Sequence, residues 1–388
     1  MHIKQIYEFV NVATQEALGA GIVVNEDLSN IVDIGDQVFN ANAMDKYVKA
    51  LVNRIGKVIF VNRVYQGSAP SVMMDDWEYG SVLQKVSAAL PEARINETWE
   101  LEDGQSYDPH IFHKPKGVIS KFYNKYVTFE IDMSFTEEQL KMSFTSAAEM
   151  NGFISMLYTN VDNSMTVKID ELIRRTINNM IAETIYADFE GAALNTKSGA
   201  KAINLLYLYN TTVNEGGDPL TAAKAITTPE FIRFAAYMIK VTHDRMRAMS
   251  QVFNVGEQPR FTPTDLSHIV LLADFASAAG AYLQSDTFHN ELTALPTAET
   301  VPYWQGSGKD FAFDEVSKID VSSADGHDVD TTGILGVMFD RWALGVSNVQ
   351  RKVTSQYTPS AEFFTNFYKY KAGYFNDLNE NFVVFFVA

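Results

Sequence analysis

An apolar series at spacings of three and four runs through Met150, Phe153, Ile154, Leu157, Val161 and Met165. It continues through Ile169, Leu172, Ile173, Ile177, Met180 and Ile181. That interval is the signature of one helix face, and Asp162, Lys168, Glu171, Arg174, Arg175 and Asn178 supply much of the polar remainder. The pattern predicts a helix from about Met150 to Ile185, which at 1.5 Å per residue extends roughly 50 Å. Such a rod is long for a globular enzyme and natural for a spine that braces an extended subunit. Upstream, Ser134-Phe135-Thr136-Glu137 fits a capping box, in which Ser134 and Glu137 satisfy each other's free amides. Residues 135–188 are therefore read as helical, with Gly152 a candidate break.

The clearest strand precedes that helix. Val127, Phe129, Ile131 and Met133 alternate with Thr128, Glu130, Asp132 and Ser134, which gives one buried and one wet face. This strand is read as the return limb of a long hairpin over 71–134, with Tyr79 to Val86 as the outgoing limb. Between the limbs, Asp103-Gly104 and Asp108-Pro109 carry turn chemistry. Residues 1–70 read as an arm: a helix Ile3 to Leu18, a second from Met44 to Ile55, and a strand Lys57 to Val61. Neither arm nor hairpin shows a core of its own. A two-stranded ribbon is marginal alone in water, so these apolar faces need a partner.

Residues 190–345 read as a mixed α/β region. A strand is expected over Asn204 to Tyr209 and a loop over Asn214 to Pro219. Thr228-Pro229-Glu230 starts a helix, with the Thr228 hydroxyl as N-cap, Pro at the first position and an anion near the positive end of the dipole. His268 to Leu272 is expected as a buried strand, Asp274 as the N-cap of the next helix, and Gly333 to Phe339 as another strand. Residues 346–388 return to β structure. Tyr368 and Tyr370 alternate with Lys369 and Lys371, Asn376 to Asn379 forms a turn, and Phe382 to Val387 is apolar on both parities. The last of these is expected as a central strand covered on both faces.

Composition narrows the function. A chain of 388 residues implies two or three domains. With 31 Lys+Arg against 48 Asp+Glu, the net charge of −17 argues against a dedicated nucleic-acid binder. Zero cysteine removes disulfides, thiolate metal sites and cysteine nucleophiles. Lys4, Glu8 and Glu16 interrupt the first twenty residues, and the longest apolar run, Phe382 to Ala388, falls far short of a bilayer span of about 20 residues. A soluble protein of intracellular origin, with no membrane association, is expected.

Candidate chemistry is sparse. His110 and His113 beside Asp108 could ligate a metal, but Pro109 and Pro115 favour an irregular loop and no third ligand follows at a known spacing. Asp325-Gly326-His327-Asp328-Val329-Asp330 lacks the ordered positions and closing Glu of a calcium loop. Gly306-Ser307-Gly308-Lys309-Asp310 lacks the upstream Gly and the Ser/Thr of a phosphate loop. No catalytic, cofactor or metal residue is assigned, and an enzyme is not expected.

The order of parts, with several local motifs, resembles the major capsid proteins of tailed bacteriophages, in a subfamily from phages of Gram-positive hosts. The matching stretches are Asp76-Trp77-Glu78-Tyr79-Gly80, Leu83-Gln84-Lys85-Val86, Thr98-Trp99-Glu100-Leu101 and Asp103-Gly104-Gln105-Ser106-Tyr107-Asp108-Pro109. Further along are Phe129-Glu130-Ile131-Asp132 and Arg175-Thr176-Ile177-Asn178-Asn179-Met180. The resemblance implies an α+β chain with the Hong Kong 97-type capsid fold. Its parts would be an N-terminal arm (1–70), an extended β-hairpin or E-loop (71–134), a peripheral domain with the spine helix (135–189), an axial α/β domain (190–345) and C-terminal strands returning to the peripheral domain (346–388).

The function implied is self-assembly into the icosahedral head shell of a virion, in the host cytoplasm, enclosing double-stranded DNA without sequence-specific contact. Partners would be further copies in pentamers and hexamers, a portal protein and a separate scaffolding protein, since no scaffold-like extension precedes residue 20. Trp77, Trp99, Tyr107, Val127, Phe129, Ile131 and Met133 are the expected inter-subunit contacts, and Gly67, Gly80 and Gly117 the expected hinges. The competing readings are an encapsulin-like cellular compartment, a phage tail component, and a soluble metal-dependent hydrolase built on Asp108, His110 and His113 or on Asp325, His327 and Asp328.

Overall fold

The computed structural model describes residues 3–19, 22, 25, 30, 33, 37, 63–74, 82–91, 93, 103–104, 117–136, 147–284, 296–306, 308–322, 326–361 and 363–388. The elements in chain order begin with α1 (Ile3–Leu18), β1 (Met73–Met74), β2 (Leu83–Ala88), β3 (Val118–Tyr123), β4 (Tyr126–Thr136), α2 (Ala147–Phe189), β5 (Ala202–Asn204), α3 (Leu205–Thr212) and α4 (Ala222–Ala225). Then come α5 (Pro229–Met246), β6 (Ser267–Leu272), α6 (Ala273–Gln284), β7 (Glu299–Val301), α7 (Phe313–Val316), β8 (Ile319–Ser322) and β9 (Asp328–Thr331). The last four strands are β10 (Ile334–Asp340), β11 (Leu344–Thr358), β12 (Phe363–Asn376) and β13 (Phe382–Phe386). The expected helix Met44 to Ile55 and strand Lys57 to Val61 lie outside the described residues.

The chain divides into two compact units. The larger comprises Tyr65–Asp132, Asn163–Thr354 and Phe367–Ala388. Its core is a five-stranded mixed sheet in the order β5-β13-β10-β6-β7. β10 runs antiparallel to β13 and β6, while β13 with β5 and β6 with β7 are parallel. Every residue of β10 and β13 is buried, as apolarity on both parities demands of a strand covered on both faces. Phe339 stacks on Phe382 with ring centres 5.5 Å apart, and Phe189 at the end of α2 meets Phe386 edge-on at 5.8 Å. Asp188 on the same helix accepts hydrogen bonds from the Lys201 and Ala202 amides at 2.7 and 2.8 Å and pairs with Lys201 Nζ at 3.0 Å. This ties the end of the spine to the edge strand β5.

The smaller unit comprises Met1–Val64, Met133–Asp162 and Ser355–Asn366. Within it Ala13 and Thr14 of α1 are fully buried. The β11–β12 turn region packs Tyr357 on Phe364 at 4.7 Å, and the Ser134 and Thr365 hydroxyls lie 2.9 Å apart.

Several local expectations are overturned. The spine is a single 43-residue helix, continuous through Gly152, because one glycine costs a helix only about 1 kcal/mol. Ser134 is not a helix cap: it lies in β4, which pairs with β12 and runs to Thr136. The stretch Asn204 to Tyr209 is not a strand, because Asn204 ends β5 and its side chain accepts from the Tyr207 amide, nucleating α3. α5 starts at Pro229 as expected, but the Thr228 hydroxyl donates backwards to the Lys224 carbonyl instead of capping. Asp274 sits in the first turn of α6 and not ahead of it.

The chain enters β10 through a backbone conformation that favours glycine. Gly333 has φ of +86°, and a Cβ there would come within 2.1 Å of the Val387 carbonyl oxygen. That carbonyl cannot retreat, because the Val387 amide donates to the Gly333 oxygen at 2.9 Å. Gly333→Ala is expected to cost about 2–4 kcal/mol, read as a lowered urea midpoint of the unassembled subunit with an unchanged slope.

Candidate functional site

The antiparallel ribbon β2–β3 has two chemically distinct faces, set by its register. Leu83 pairs with Tyr123, Lys85 with Lys121 and Ser87 with Ile119, while Gln84 pairs with Phe122, Val86 with Ser120 and Ala88 with Val118. Because side chains alternate, the two lysines stand directly opposite each other on one face. Like charges in that position repel, so the pair needs an anion, and Asp377 provides it. Lys85 Nζ donates to Asp377 Oδ2 at 2.7 Å and Lys121 Nζ to Asp377 Oδ1 at 2.8 Å. Lys85 also donates to Glu380 Oε1 at 2.8 Å and to the Trp342 carbonyl at 3.0 Å. Arg260 Nε lies 3.4 Å from the same Glu380 oxygen.

Only 3% of the Asp377 side chain is exposed. Burial by itself would lift its carboxyl, but the hydrogen bonds from Lys121 and Lys85 more than reverse this and hold it below its usual range. Tyr123, on the same ribbon face, has its ring 5.2 Å from Phe375. Burial and the Asp377 carboxylate push its phenol well above its ordinary range, so it stays protonated. The turn after β12 presents Asp377 rigidly: its amide donates to the Ala343 carbonyl at 2.7 Å, and its carboxylate accepts from the Asn379 amide at 3.1 Å.

The opposite ribbon face is open. Val86, Val118 and Phe122 are 59, 65 and 64% exposed, and Gln84 bonds across the same face to Ser120 at 2.8 Å. Val82, just before β2, and Leu90, just after it, are also about half exposed. A monomer that had finished folding would seldom present apolar groups so densely on one strand pair.

Of the contacts expected from the sequence, Val127, Phe129, Ile131 and Met133 lie together on one face of β4, each half-buried, while their polar neighbours are exposed. β4 is an edge strand of the four-stranded sheet β1-β11-β12-β4. Trp77, Trp99 and Tyr107 lie outside the described residues. The return limb of the ribbon is β3, not β4: the sequence reading missed Val118, Phe122 and Lys121. A run of β-branched and aromatic residues in Val118-Ile119-Ser120-Lys121-Phe122-Tyr123 was the available signal.

Gly67 does not serve as a free hinge. It has φ of +84°, and a Cβ there would lie 2.8 Å from Asp170 Oδ1. Asp170 is itself fixed by the Tyr65 hydroxyl at 3.0 Å and the Ser68 amide at 2.8 Å. The Gly117 carbonyl accepts from the Ala89 amide at 3.1 Å and closes the ribbon, and Gly80 lies outside the described residues.

Among the described residues there is no group of three or more His, Asp or Glu side chains arranged to hold a metal ion. His327 instead stacks on Tyr186 at 3.6 Å, with Nδ1 3.1 Å from Glu183. Asp108, His110, His113 and Asp325 lie outside the described residues. No helix among the described residues is long and apolar enough to cross a membrane.

The sequence matches the family model of the Phi29-like phage major capsid proteins over residues 10–386, and the chain belongs to that family. No curated protein sequence matches it. A chain in the capsid structure of Staphylococcus phage Andhra is similar in fold, with TM-score 0.54 at 9% identity, covering 86% of this chain and 88% of that one. A chain in the structure of the head fiber and inner core protein of native bacteriophage P68 is similar to the same degree, with TM-score 0.53 at 8% identity over 86% and 88%. At such identities the likeness is one of fold, and that fold is the Hong Kong 97-type capsid architecture, α+β in composition. The protein is thus a structural component of the virion, the subunit of an icosahedral head shell. The compartment, hydrolase and tail-component readings are not favoured.

Asp377→Asn is expected to destabilise the subunit by about 1.5–3 kcal/mol, because it removes the charge that two hydrogen-bonded lysines share. The lysines keep partial contact with water, which keeps the loss below that of a wholly buried pair. With its folded value depressed, Asp377 contributes stability that is present above its unfolded value of about 3.9 and is lost as acid protonates it through the lower folded value. Urea midpoints measured between pH 2 and pH 7 should therefore converge for wild type and D377N at the acid end and separate above about pH 4.

Proposed function

We propose that this capsid protein closes its shell with the β2–β3 ribbon acting as a clasp between copies. One observation carries the reading: the ribbon is anchored through Lys85 and Lys121 to a buried carboxylate, while its other face leaves Val86, Val118 and Phe122 in water. Anchoring makes the ribbon a fixed tool. Burying those three side chains against a neighbour gives about 1.5–3 kcal/mol for each large one. That is weak for a single contact and sufficient for a lattice in which each subunit makes it several times.

In the same reading the apolar face of β4, with Val127, Phe129, Ile131 and Met133, and the residues Trp77, Trp99 and Tyr107 contribute further inter-subunit contact. The chain would be organised as arm 1–70, extended loop 71–134, peripheral segment 135–189 joined by 346–388, and axial domain 190–345. Copies meet in pentamers and hexamers, with a portal protein at one vertex and a scaffolding protein during assembly. The shell encloses double-stranded DNA without gripping it. The net charge of −17 supports this, because an acidic wall repels phosphate.

Phe122→Asp tests the clasp. The side chain is exposed in the subunit, so subunit stability should change by less than about 0.5 kcal/mol. Closed shells, counted by electron microscopy of the purified protein, should disappear. Shells at wild-type yield would show that the ribbon face is not the clasp. Met133→Asp is expected to abolish shells as well, with a lowered melting temperature because Met133 is half-buried.

A further inference from the structure

A buried histidine competes for a carboxylate with the segment that leads toward the ribbon. His268 on β6 is 5% exposed, and its ring packs 5.1 Å from that of Phe339. Its Nε2 lies 3.3 Å from Glu299 Oε2 on the neighbouring edge strand β7, yet it is buried and makes no hydrogen bond. Buried polar atoms are almost always paired, so this one needs a reason.

Glu299 is already engaged. Ser71 grips its carboxylate twice: the amide donates to Oε2 at 2.7 Å and the hydroxyl donates to Oε1. Ser71 belongs to a strap, residues 65–74, that ends in β1. Pro70 and Val72 of the strap are buried, and the Val72 carbonyl accepts from the Val346 amide at 3.2 Å. Upstream, separate bonds fix the strap to the spine: the Ser68 amide donates to Asp170 Oδ2 at 2.8 Å and the Tyr65 amide to Asn163 Oδ1 at 2.7 Å. Glu299 therefore ties the second half of the strap to the edge of the core sheet.

The charged groups acting on the imidazole are Glu299 from β7 and Arg341 from the turn after β10. Burial pushes the imidazole below its ordinary 6.5 in spite of the Glu299 carboxylate, and Arg341 adds to the shift. The ring is thus neutral at pH 7. A proton on it would create a buried cation, which is tolerated only when paired and hydrogen-bonded. Nε2 can align with Glu299 only if the carboxylate leaves its present orientation, which Ser71 fixes at both oxygens.

We propose that His268 is an acid-sensitive latch for the strap: its protonation draws Glu299 away from Ser71 and frees residues 70–74 from the core sheet. An imidazole that resists its proton in the latched state contributes stability that is present above pH 6.5 and lost as pH falls below it. Burial alone would raise the Glu299 carboxyl, but the two bonds from Ser71 hold it below its ordinary 4.5. Glu299 therefore stays ionised while His268 titrates, and the latch opens between about pH 6.5 and pH 4.5. Asp377 is still charged in that window, so the strap loosens while the lysine clamp holds the ribbon. The latch is a property of the single subunit and does not rest on the clasp reading.

Hydrogen exchange of the unassembled subunit, resolved to single amides and corrected for the intrinsic pH dependence, tests it. Between about pH 7.5 and about pH 5.5, protection of the Ser71 amide is expected to fall about tenfold, the size of one lost hydrogen bond to a charged group. Protection of the Tyr65 and Ser68 amides should hold. The acid step should vanish in His268→Gln, which has no titrating ring, and in Glu299→Gln, which offers a protonated ring no anion. Glu299 is partly exposed on an edge strand, and its Gln variant keeps an acceptor for the Ser71 amide, so it carries the test if the buried substitution at His268 prevents folding. Unchanged protection in the wild type, or an acid step that persists in either folded variant, would overturn the latch. An equal loss at Tyr65 and Ser68 would also overturn it, because it would report general loosening.

Discussion

A single carboxylate governs what the ribbon can do. Lys85 and Lys121 face each other across two strands and would push the ribbon apart if Asp377 did not sit between them. Once they are paired, the ribbon is fixed at its base and its other face is aimed outward. A flexible ribbon would fold its apolar side chains back onto the body, since burial anywhere lowers their free energy. The ion cluster forbids that solution. Exposed Val86, Val118 and Phe122 are therefore a consequence of the clamp and not an accident of the surface.

The rest of the larger unit supports the same arrangement. β10 and β13 form a core with no polar residue between Phe382 and Phe386 and only Asp340 at the far end of β10. Asp377 and Glu380 hang from the turn that enters β13, so the clamp is referred to the buried core sheet. α2 crosses this region as one helix and brings Asp170, Arg174, Asn178 and Asp188 to fixed positions along its length. Each of these side chains holds a loop, an aromatic ring or a strand edge. The spine is thus a ruler for side-chain placement as much as a brace.

Legibility in the sequence followed the range of the interactions. Phe382 to Val387 was readable as a central strand because burial on both faces leaves both parities apolar. The spine was readable because its apolar stripe, from Met150 to Ile181, repeats over about nine turns. Misreadings arose where a distant partner overrode a local pattern. Ser134 and Glu137 spell a capping box, yet pairing with β12, more than two hundred residues away, keeps Ser134 in a strand. β3 was missed because Val118 and Ile119 are adjacent apolar residues that obscure the alternation. Asp377 could be read as a turn residue, but its lysine partners are 256 and 292 residues away. No local pattern encodes a contact of that kind, so the clamp emerged only from the fold. The resemblance to phage capsid proteins rested on motifs whose geometry was not yet visible, and family membership over residues 10–386 bears it out.

The central claim is that the open face of the ribbon is buried only when copies meet. Hydroxyl-radical footprinting of Phe122 measures this most directly, comparing unassembled subunits with purified shells. The account predicts rapid oxidation of Phe122 in the subunit and strong protection in the shell, with the buried Phe385 protected in both. Equal oxidation of Phe122 in the two states would contradict it.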